Sequence, residues 1–211
     1  MRIIFISLII VGIFASFCYA QTGADVSEGR SDTLDTSTAG NDTAVGGNVT
    51  YLNLSVTQST SRWQGYFGNA SGTLSLGYGS DIFYDFSSAG ISSVFATQNQ
   101  TFDFSSLESA AAADIDSVWG YADGSDQATD IFTGTTTVEG VSAPSVTLEP
   151  AASEFNSSIF DDGNTGAKSS FAFGVNVQEP AALCFDGTDC EYELMVPASA
   201  SEIYYFFLTI S

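Results

Sequence analysis

The chain has 211 residues, of which 25 are Asp or Glu, four are Lys or Arg and none is His, so its formal net charge is −21. This balance excludes a nucleic-acid-binding protein, because phosphate backbones are bound by clusters of Lys and Arg. The lack of imidazole excludes Ser-His-Asp and Cys-His catalysis, His-ligated zinc and haem on a proximal His. Carboxylate, hydroxyl and thiol chemistry remain for any active site.

Residues 1–20 have the pattern of a secretory signal peptide. Arg2 supplies the basic start, residues 3–17 form an apolar run, and Ala20 is the small residue before the expected cleavage point. The run has about 15 residues and a bilayer span needs about 20, so cleavage is favoured over a membrane anchor. The sequence therefore predicts a secreted or extracellular surface protein without a membrane span in its mature chain, which would carry three cations and 25 acids, or −22.

Residues 21–47 consist mainly of Ser, Thr, Gly, Asp and Ala. Such a composition buries too little apolar surface to offset the chain entropy of folding. We predict a disordered segment here, either a tether or simply a flexible N-terminus. Residues 48–211 are predicted to form a single domain.

From residue 48 onward, apolar and polar residues alternate in short runs separated by Gly, Asp, Asn and Ser, which is typical of half-buried strands. The pattern predicts an antiparallel β-sandwich, Ig-like or jelly-roll-like, whose core holds many of the 17 Phe and nine Tyr. Residues 105–119 break the pattern with a serine pair, a run of alanines and helical spacing, and predict one short helix. The predicted strands cover residues 49–57, 73–76, 81–86, 93–96, 135–138, 145–148, 170–177, 191–196 and 203–210.

The last predicted strand, residues 203–210, is apolar on both faces. An exposed edge strand of this kind invites association. It is therefore either a central strand covered on both sides, which we favour, or a strand that completes the sheet of a neighbouring subunit.

Two cysteines remain after the predicted signal peptide, Cys184 and Cys190, on either side of an Asp-Gly turn. The turn brings their Cα atoms within reach of a disulfide, which an oxidising exterior favours. Free thiols or a metal-binding pair would need a reducing compartment or further soft ligands. Six Asn-x-Ser/Thr sequons support export and predict glycosylation; they are Asn41, Asn48, Asn53, Asn69, Asn99 and Asn156.

Calcium is the cation that this composition could hold, because oxygen ligands are abundant. The candidate ligands are Asp161, Asp162 and Asn164 in one glycine-containing loop, and Asp186 and Asp189 in another. Neither loop matches the twelve-residue calcium-binding loop that ends in Glu. An ordinary Asx turn is the favoured interpretation of each.

Two further kinds of site are open to the sequence. Trp63, Tyr66 and Tyr121 could stack on a sugar ring, although core packing explains them at least as well. Paired carboxylates could act as the acid and base of a glycoside hydrolase. Acids two or four residues apart occur at positions 114 and 116, 81 and 85, and 191 and 193, but in a chain with 25 acids such pairs arise often by chance.

Residues 60–76 carry a recognisable block that begins Arg62-Trp63, continues through Gly65-Tyr66 and ends in a Gly-Asn-x-Ser-Gly sequence. It resembles the Arg-Trp-x-Gly-Tyr-x-Gly-Asn-x-Ser-Gly block of an uncharacterised family of archaeal secreted or cell-surface proteins rich in β-structure. Phe86 stands where that family usually has Trp. The resemblance implies an exported, mostly β protein of an archaeon, and it implies no activity, cofactor or catalytic residue. The acid excess would suit a salt-rich habitat.

Together these features predict a secreted, glycosylated structural protein of the cell surface that assembles with itself and is not an enzyme. Its expected partners are other copies, cell-surface proteins or glycans, and it is expected to need no cofactor unless calcium binds. An extracellular glycan-binding module is the first alternative. A carboxylate-based glycoside hydrolase is the second.

Overall fold

The computed structural model describes residues 20–27, 29–86, 89–149, 155–199 and 201–211, so the predicted signal peptide lies outside the described residues except for Ala20. The strands are β1 (Ala20–Gly23), β2 (Trp63–Gly68), β3 (Ser75–Tyr78), β4 (Asp81–Asp85), β5 (Ile91–Thr97), β6 (Glu108–Ser109), β7 (Gly134–Val138), β8 (Val141–Thr147), β9 (Asn156–Asp161), β10 (Phe171–Asn176), β11 (Ala182–Leu183), β12 (Asp189–Cys190), β13 (Tyr192–Pro197) and β14 (Tyr205–Ile210). The helices are α1 (Ala112–Trp119) and α2 (Ala128–Ile131).

Seven strands form the main sheet in the order β1-β14-β5-β10-β9-β8-β7, and the short strand β6 adds to β9 as an eighth. All pairings are antiparallel. A second sheet of β2 and β13 packs on one face of the main sheet. The predicted antiparallel β-sandwich is confirmed, and the sheet does not close into a barrel.

The core lies on both faces of the main sheet because neighbouring residues of a strand point to opposite faces. Along β9, Ile159 joins a cluster under β13 and α1, whereas Phe160 joins a second cluster with Phe95 and Val138. The hairpin of β7 and β8 supplies Val138 and Ala143 to this second cluster. The central strands are therefore buried on both faces.

The predicted helix over residues 105–119 is too long at its N-terminal end. Residues Phe104–Ser106 form a 3₁₀ turn in which the Asp103 carboxylate accepts a hydrogen bond from the Ser105 amide, and Glu108–Ser109 pair with β9 as strand β6. The α-helix begins only at Ala112 and ends at Gly120, which has the left-handed conformation that favours glycine (φ 73°). Among the described residues, neither helix is long and apolar enough to cross a membrane.

The N-terminal part of the chain departs from prediction in two ways. Ala20–Gly23, at the start of the segment predicted to be disordered, forms strand β1 on the edge of β14. The predicted strand at residues 49–57 is wrong, because the described residues between 24 and 62 contain neither helix nor strand. Leu52, Leu54 and Val56 are exposed there.

Strand β14 lies between β1 and β5, so the last apolar segment is an internal strand of the sheet. It pairs with β5 from Tyr205 to Ile210, with a bulge before its last residue. On its other side only the short β1 covers it. The apolar side chains of β14 are consequently half-buried for most of its length.

Candidate functional site

Cys184 and Cys190 form a disulfide with a Cα–Cα distance of 5.9 Å, as their spacing predicts. The chain turns between them at Gly187, which has a φ of 81°. The buried carboxylate of Glu193 lies beside the two sulfurs and accepts a hydrogen bond from the Phe185 amide (2.7 Å). Burial raises the pKa of this carboxyl group. Because the sulfurs are bonded to each other, neither offers the thiolate that a metal would bind.

The first predicted calcium loop follows β9 and is built from Asx turns. The Asp161 carboxylate accepts a hydrogen bond from the Gly163 amide (2.8 Å), and Asp162 accepts two from Asn164 (3.2 Å each). Asp161 is only 5% exposed. Burial and then the nearby charge of Glu108 raise its pKa. These are the contacts of Asx turns, which is the interpretation that the sequence favours for this loop.

The second predicted calcium loop lies within the disulfide. Asp186 accepts hydrogen bonds from the amide (3.0 Å) and hydroxyl (2.7 Å) of Thr188, and it forms an ion pair with Arg30. These hydrogen bonds lower its pKa. Asp189 is exposed on β12. Within the described part of the chain, one group of three His, Cys, Asp or Glu side chains has its ligand atoms within 4.8 Å of one another; it consists of Cys184, Cys190 and Glu193 and includes none of the candidate calcium ligands.

The three candidate stacking aromatics belong to the packed side of the domain. Tyr121 is 4% exposed, and its hydroxyl donates a hydrogen bond to the carbonyl of Arg62. Trp63 packs against the rings of Tyr121 (5.7 Å) and Phe132 (5.5 Å). Tyr66 meets Phe206 edge to face at 5.0 Å. Tyr121 has no free ring face for a sugar, and the packing of the other two fits the core role.

Arg62 and Trp63 begin the block that resembles the archaeal family. Their side chains connect β2 to the loop after α1. The Arg62 guanidinium lies 5.2 Å from the Tyr121 ring centroid and 2.9 Å from the Asp126 carboxylate. The Trp63 indole donates a hydrogen bond to the Asp126 carbonyl (2.7 Å). These contacts give both residues a structural purpose.

The helical carboxylate pair is divided between two roles. Asp116 accepts hydrogen bonds from the backbone of Ala128 (2.7 Å) and Thr129 (3.0 Å), so it caps the first turn of α2. Asp114 lies in the first turn of α1, where the helix dipole favours a negative charge. This arrangement stabilises helix ends and does not aim two acids at one point.

The other two candidate pairs of carboxylates, both predicted to lie on strands, are also held apart. Glu191 accepts a hydrogen bond from the Ala70 amide (2.8 Å), whereas Glu193 faces the disulfide loop. Asp81 and Asp85 lie at opposite ends of β4 and are exposed. None of these contacts resembles the facing carboxylates of a glycosidase.

The sequons differ in accessibility. The side chains at residues 41, 48, 53 and 69 are exposed, and the first three lie in the extended segment before β2. Asn99 and Asn156 are half-buried, and their carbonyl oxygens accept hydrogen bonds from Thr101 and Thr147. The exposed four are the better acceptors for a glycan.

A polar cluster around Glu202 was not predicted from the sequence. Its carboxylate accepts hydrogen bonds from Gln98 (2.6 Å), Trp119 (3.1 Å) and Ser199 (2.9 Å) and pairs with Lys168. Burial alone would raise its pKa, but these donors outweigh it and lower the pKa. Lys168 is the chain's single lysine, and an isolated cation in so acidic a chain is the one sequence signal of such a pair.

Among the strands of the described chain, β3 and β4 expose the most apolar surface, together with the residues on their flanks. Leu76 pairs with Tyr84, and Phe86 donates a backbone hydrogen bond to Leu74, so these four side chains lie on one face. Tyr84 and Phe86 meet edge to face at 4.9 Å. We call the large apolar side chains of this region the hairpin surface; they are Leu74, Leu76, Tyr78, Ile82, Phe83, Tyr84 and Phe86, and they are 43% to 90% exposed.

Comparison of the chain with protein-family models, curated proteins and solved structures finds no match. The resemblance to archaeal surface proteins therefore stays a prediction from the sequence.

Proposed function

We propose that this protein is a secreted, glycosylated structural component of an archaeal cell surface that assembles with copies of itself and has no catalytic activity. The observation that carries the proposal is the hairpin surface. Soluble monomers rarely expose a contiguous apolar patch of this size, and such patches mark sites of interaction. The signal-peptide pattern and the exposed sequons support the extracellular location.

The hairpin needs a covering partner on physical grounds. A two-stranded hairpin is marginally stable in water unless its apolar face packs on something else. Tyr78 is 90% exposed and Phe83 is 84% exposed. Neither belongs to the two core clusters of the described residues.

A second copy of the chain is the partner that fits this surface. A large aromatic side chain contributes about 150–250 Å², so the seven exposed side chains present roughly 800 Å². This is the area that each partner contributes to a standard protein interface, about 800 Å². Ile82, Phe83 and Tyr84 are consecutive in β4, so the area is divided between the two faces of the hairpin, and two copies packed face to face bury the share of one face on each.

The charges of the chain determine how this contact should respond to salt. Asp81 and Asp85 lie on the hairpin, whereas the three described cations pair with carboxylates of their own chain; these are Arg30, Arg62 and Lys168. A second copy offers no free cation to the hairpin, so charge only opposes association. Raising the salt from about 0.1 M to about 1 M shortens the screening length from about 10 Å to about 3 Å and should strengthen the dimer.

Sedimentation equilibrium tests the proposal directly. The unmodified protein should form a dimer whose affinity rises with salt. The double variant Ile82→Ser with Phe83→Ser should lose at least about tenfold in affinity, because each large apolar side chain contributes about 1.5–3 kcal/mol when buried. Leu34→Ser is the matched control, since Leu34 is 64% exposed but lies outside the hairpin surface.

Three outcomes would contradict the proposal. A strict monomer at all salt concentrations would remove self-assembly, and a dimer that the double variant forms equally well would place the contact elsewhere. Association that weakens with salt would mean that attraction between opposite charges, and not apolar surface, holds the copies together. Electron microscopy of concentrated protein would show whether larger assemblies follow.

A further inference from the structure

We infer that strand β1 exchanges between copies, so that β1 of one chain occupies the edge of β14 in a second chain. This inference rests on the proposed self-assembly and supplies a second contact for it. Face-to-face packing of two identical hairpin surfaces is complete at two copies. A strand that passes from one chain to the next is a head-to-tail contact, and such contacts can continue into rings or filaments.

The edge of β14 accepts β1 mainly through the main chain. Gln21, Thr22 and Gly23 pair with residues 209, 208 and 207, and the Ala24 amide donates a hydrogen bond to the Phe206 carbonyl (2.9 Å). Thr22 and Gly23 are exposed. Since the contact depends little on buried side chains of β1, residues 21–23 of another copy make it equally well.

The edge of β14 that β1 covers would pair with another strand if it were left open. β14 has β5 on one side and only β1 on the other. An uncovered apolar strand edge is a template for pairing with another chain. When β1 leaves, β14 therefore becomes an acceptor for a second β1.

The chain between β1 and the rest of the domain is long enough to reach a neighbour. The described residues between 24 and 62 contain neither helix nor strand. The attachment of this tether nearest to β1 is Arg30, which pairs with Asp186 and lies 5.6 Å from the Phe67 ring centroid. The Arg30 side chain is 69% exposed and that of Asp186 is 11% exposed, so one partner of this ion pair faces water and the pair can open without unfolding the domain.

The reach of the tether changes greatly when that attachment opens. From Ala24 to Arg30 the chain spans at most about 20 Å. When Arg30 is released and the hydrogen bonds between Ser37 and Thr57 also open, an extended segment from residue 24 to 62 spans up to about 130 Å. On the predicted cleavage after Ala20, Gln21 would be a free end, and no loop would have to be threaded during exchange.

The balance between the two arrangements depends on concentration, because the contacts are the same in both. A flexible tether of this length has a root-mean-square span of about 30–40 Å. It holds β1 near its own β14 at an effective concentration on the order of millimolar. Dilute protein therefore keeps β1 within one chain, whereas crowded copies, or copies joined through the hairpin surface, exchange it.

Disulfide trapping across the β1–β14 register tests the inference. Thr22→Cys and Leu208→Cys are placed in separate, differently isotope-labelled preparations, which are mixed, concentrated and then mildly oxidised. The cross-link between the two chains should exceed, by about tenfold or more, that of a control mixture with Thr165→Cys in place of Leu208→Cys. Thr165 is exposed in the turn after β9 and has no register partner in β1. Adding Arg30→Gln should raise the yield further by releasing the tether.

A chain that carries both cysteines is the control for folding. In dilute solution it should form the cross-link within itself, which reports that both positions reach their register. If it does so while the mixed chains cross-link no more than the control in preparations that do associate, β1 does not exchange and the proposed self-assembly stands. If the unmodified protein does not associate at all, the proposed function fails first.

Discussion

The centre of the main sheet and the β3–β4 hairpin have the same alternation of apolar and polar residues, but their side chains lie in opposite environments. Phe95 and Phe173, on β5 and β10, are fully buried, whereas Phe83 on β4 is 84% exposed. Each central strand has a neighbour along both edges and packed side chains on both faces. The hairpin strands have only each other. Alternation of apolar residues therefore predicts a strand, but burial depends on which other elements reach it.

The largest expected difference is between the effects of one substitution, Phe to Ala, made in each of the two regions. Phe173→Ala should destabilise the protein by about 3–5 kcal/mol, because it removes a fully buried ring and leaves a cavity beside Trp119 and Tyr204. Phe83→Ala should change the unfolding free energy of the monomer by less than about 0.5 kcal/mol. Urea unfolding at low protein concentration measures both. A comparable loss in Phe83→Ala would mean that the hairpin packs against the domain and that the contrast is false.

The next effect comes from Glu202, which lies beside the core. Glu202→Gln should cost about 1.5–3 kcal/mol at neutral pH, since it weakens charge-assisted hydrogen bonds. The pKa of the Glu202 carboxyl group is lowered below its ordinary value in the folded state, so its stabilisation is complete above the pKa of the unfolded chain and is lost as the pH falls through the folded-state pKa. The difference between wild type and variant should therefore vanish in acid. Asp85→Asn, an exposed acid of the hairpin, is the control, and an equal loss there would remove the distinction.

The smallest expected effects come from replacing one glycine in each region by alanine. A Cβ on Gly174 would lie 2.5 Å from the buried ring of Phe95, so Gly174→Ala should cost about 1–3 kcal/mol of global stability. A Cβ on Gly77 would lie 2.5 Å from the Asp81 carbonyl, at the bulge of the hairpin. Gly77→Ala should speed amide hydrogen exchange within the hairpin and leave global unfolding nearly unchanged. Gly166→Ala, where a Cβ meets nothing within 4 Å, controls for the substitution itself.

Prediction from sequence succeeded where the strand had one clear apolar pattern and failed where context decided. Strands β5, β10, β13 and β14 fall within or overlap the predicted runs. Strand β9 was missed, because it begins Asn156-Ser157-Ser158 and only Ile159 and Phe160 are large and apolar. Serine is small enough to be buried in a strand covered on both faces, and Ser157 finds a backbone partner on β13.

The predictions for the candidate site also succeeded where a local pattern decided and failed where tertiary context decided. The spacing of Cys184 and Cys190 predicted their pairing, because a short turn restricts where the second thiol can lie. The stacking role of Trp63, Tyr66 and Tyr121 could not be weighed from sequence, because an aromatic side chain serves a core and a binding surface equally well. The hairpin surface was predicted as two strands, yet no local pattern showed that they would remain uncovered.

The sequence by itself determined the chemistry that this protein can offer, its mostly β class and its disulfide, because these depend on composition, on period-2 alternation and on short-range spacing. The tertiary structure decided that residues 49–57 stay unpaired, that β1 covers β14 and that the hairpin faces solvent. Strand pairing joins residues far apart in the chain, so it is selected by the whole set of competing edges. The charge balance belongs to both levels: composition set the acid excess, and the fold paired every described cation within the chain, so the proposed self-association would depend on apolar surface.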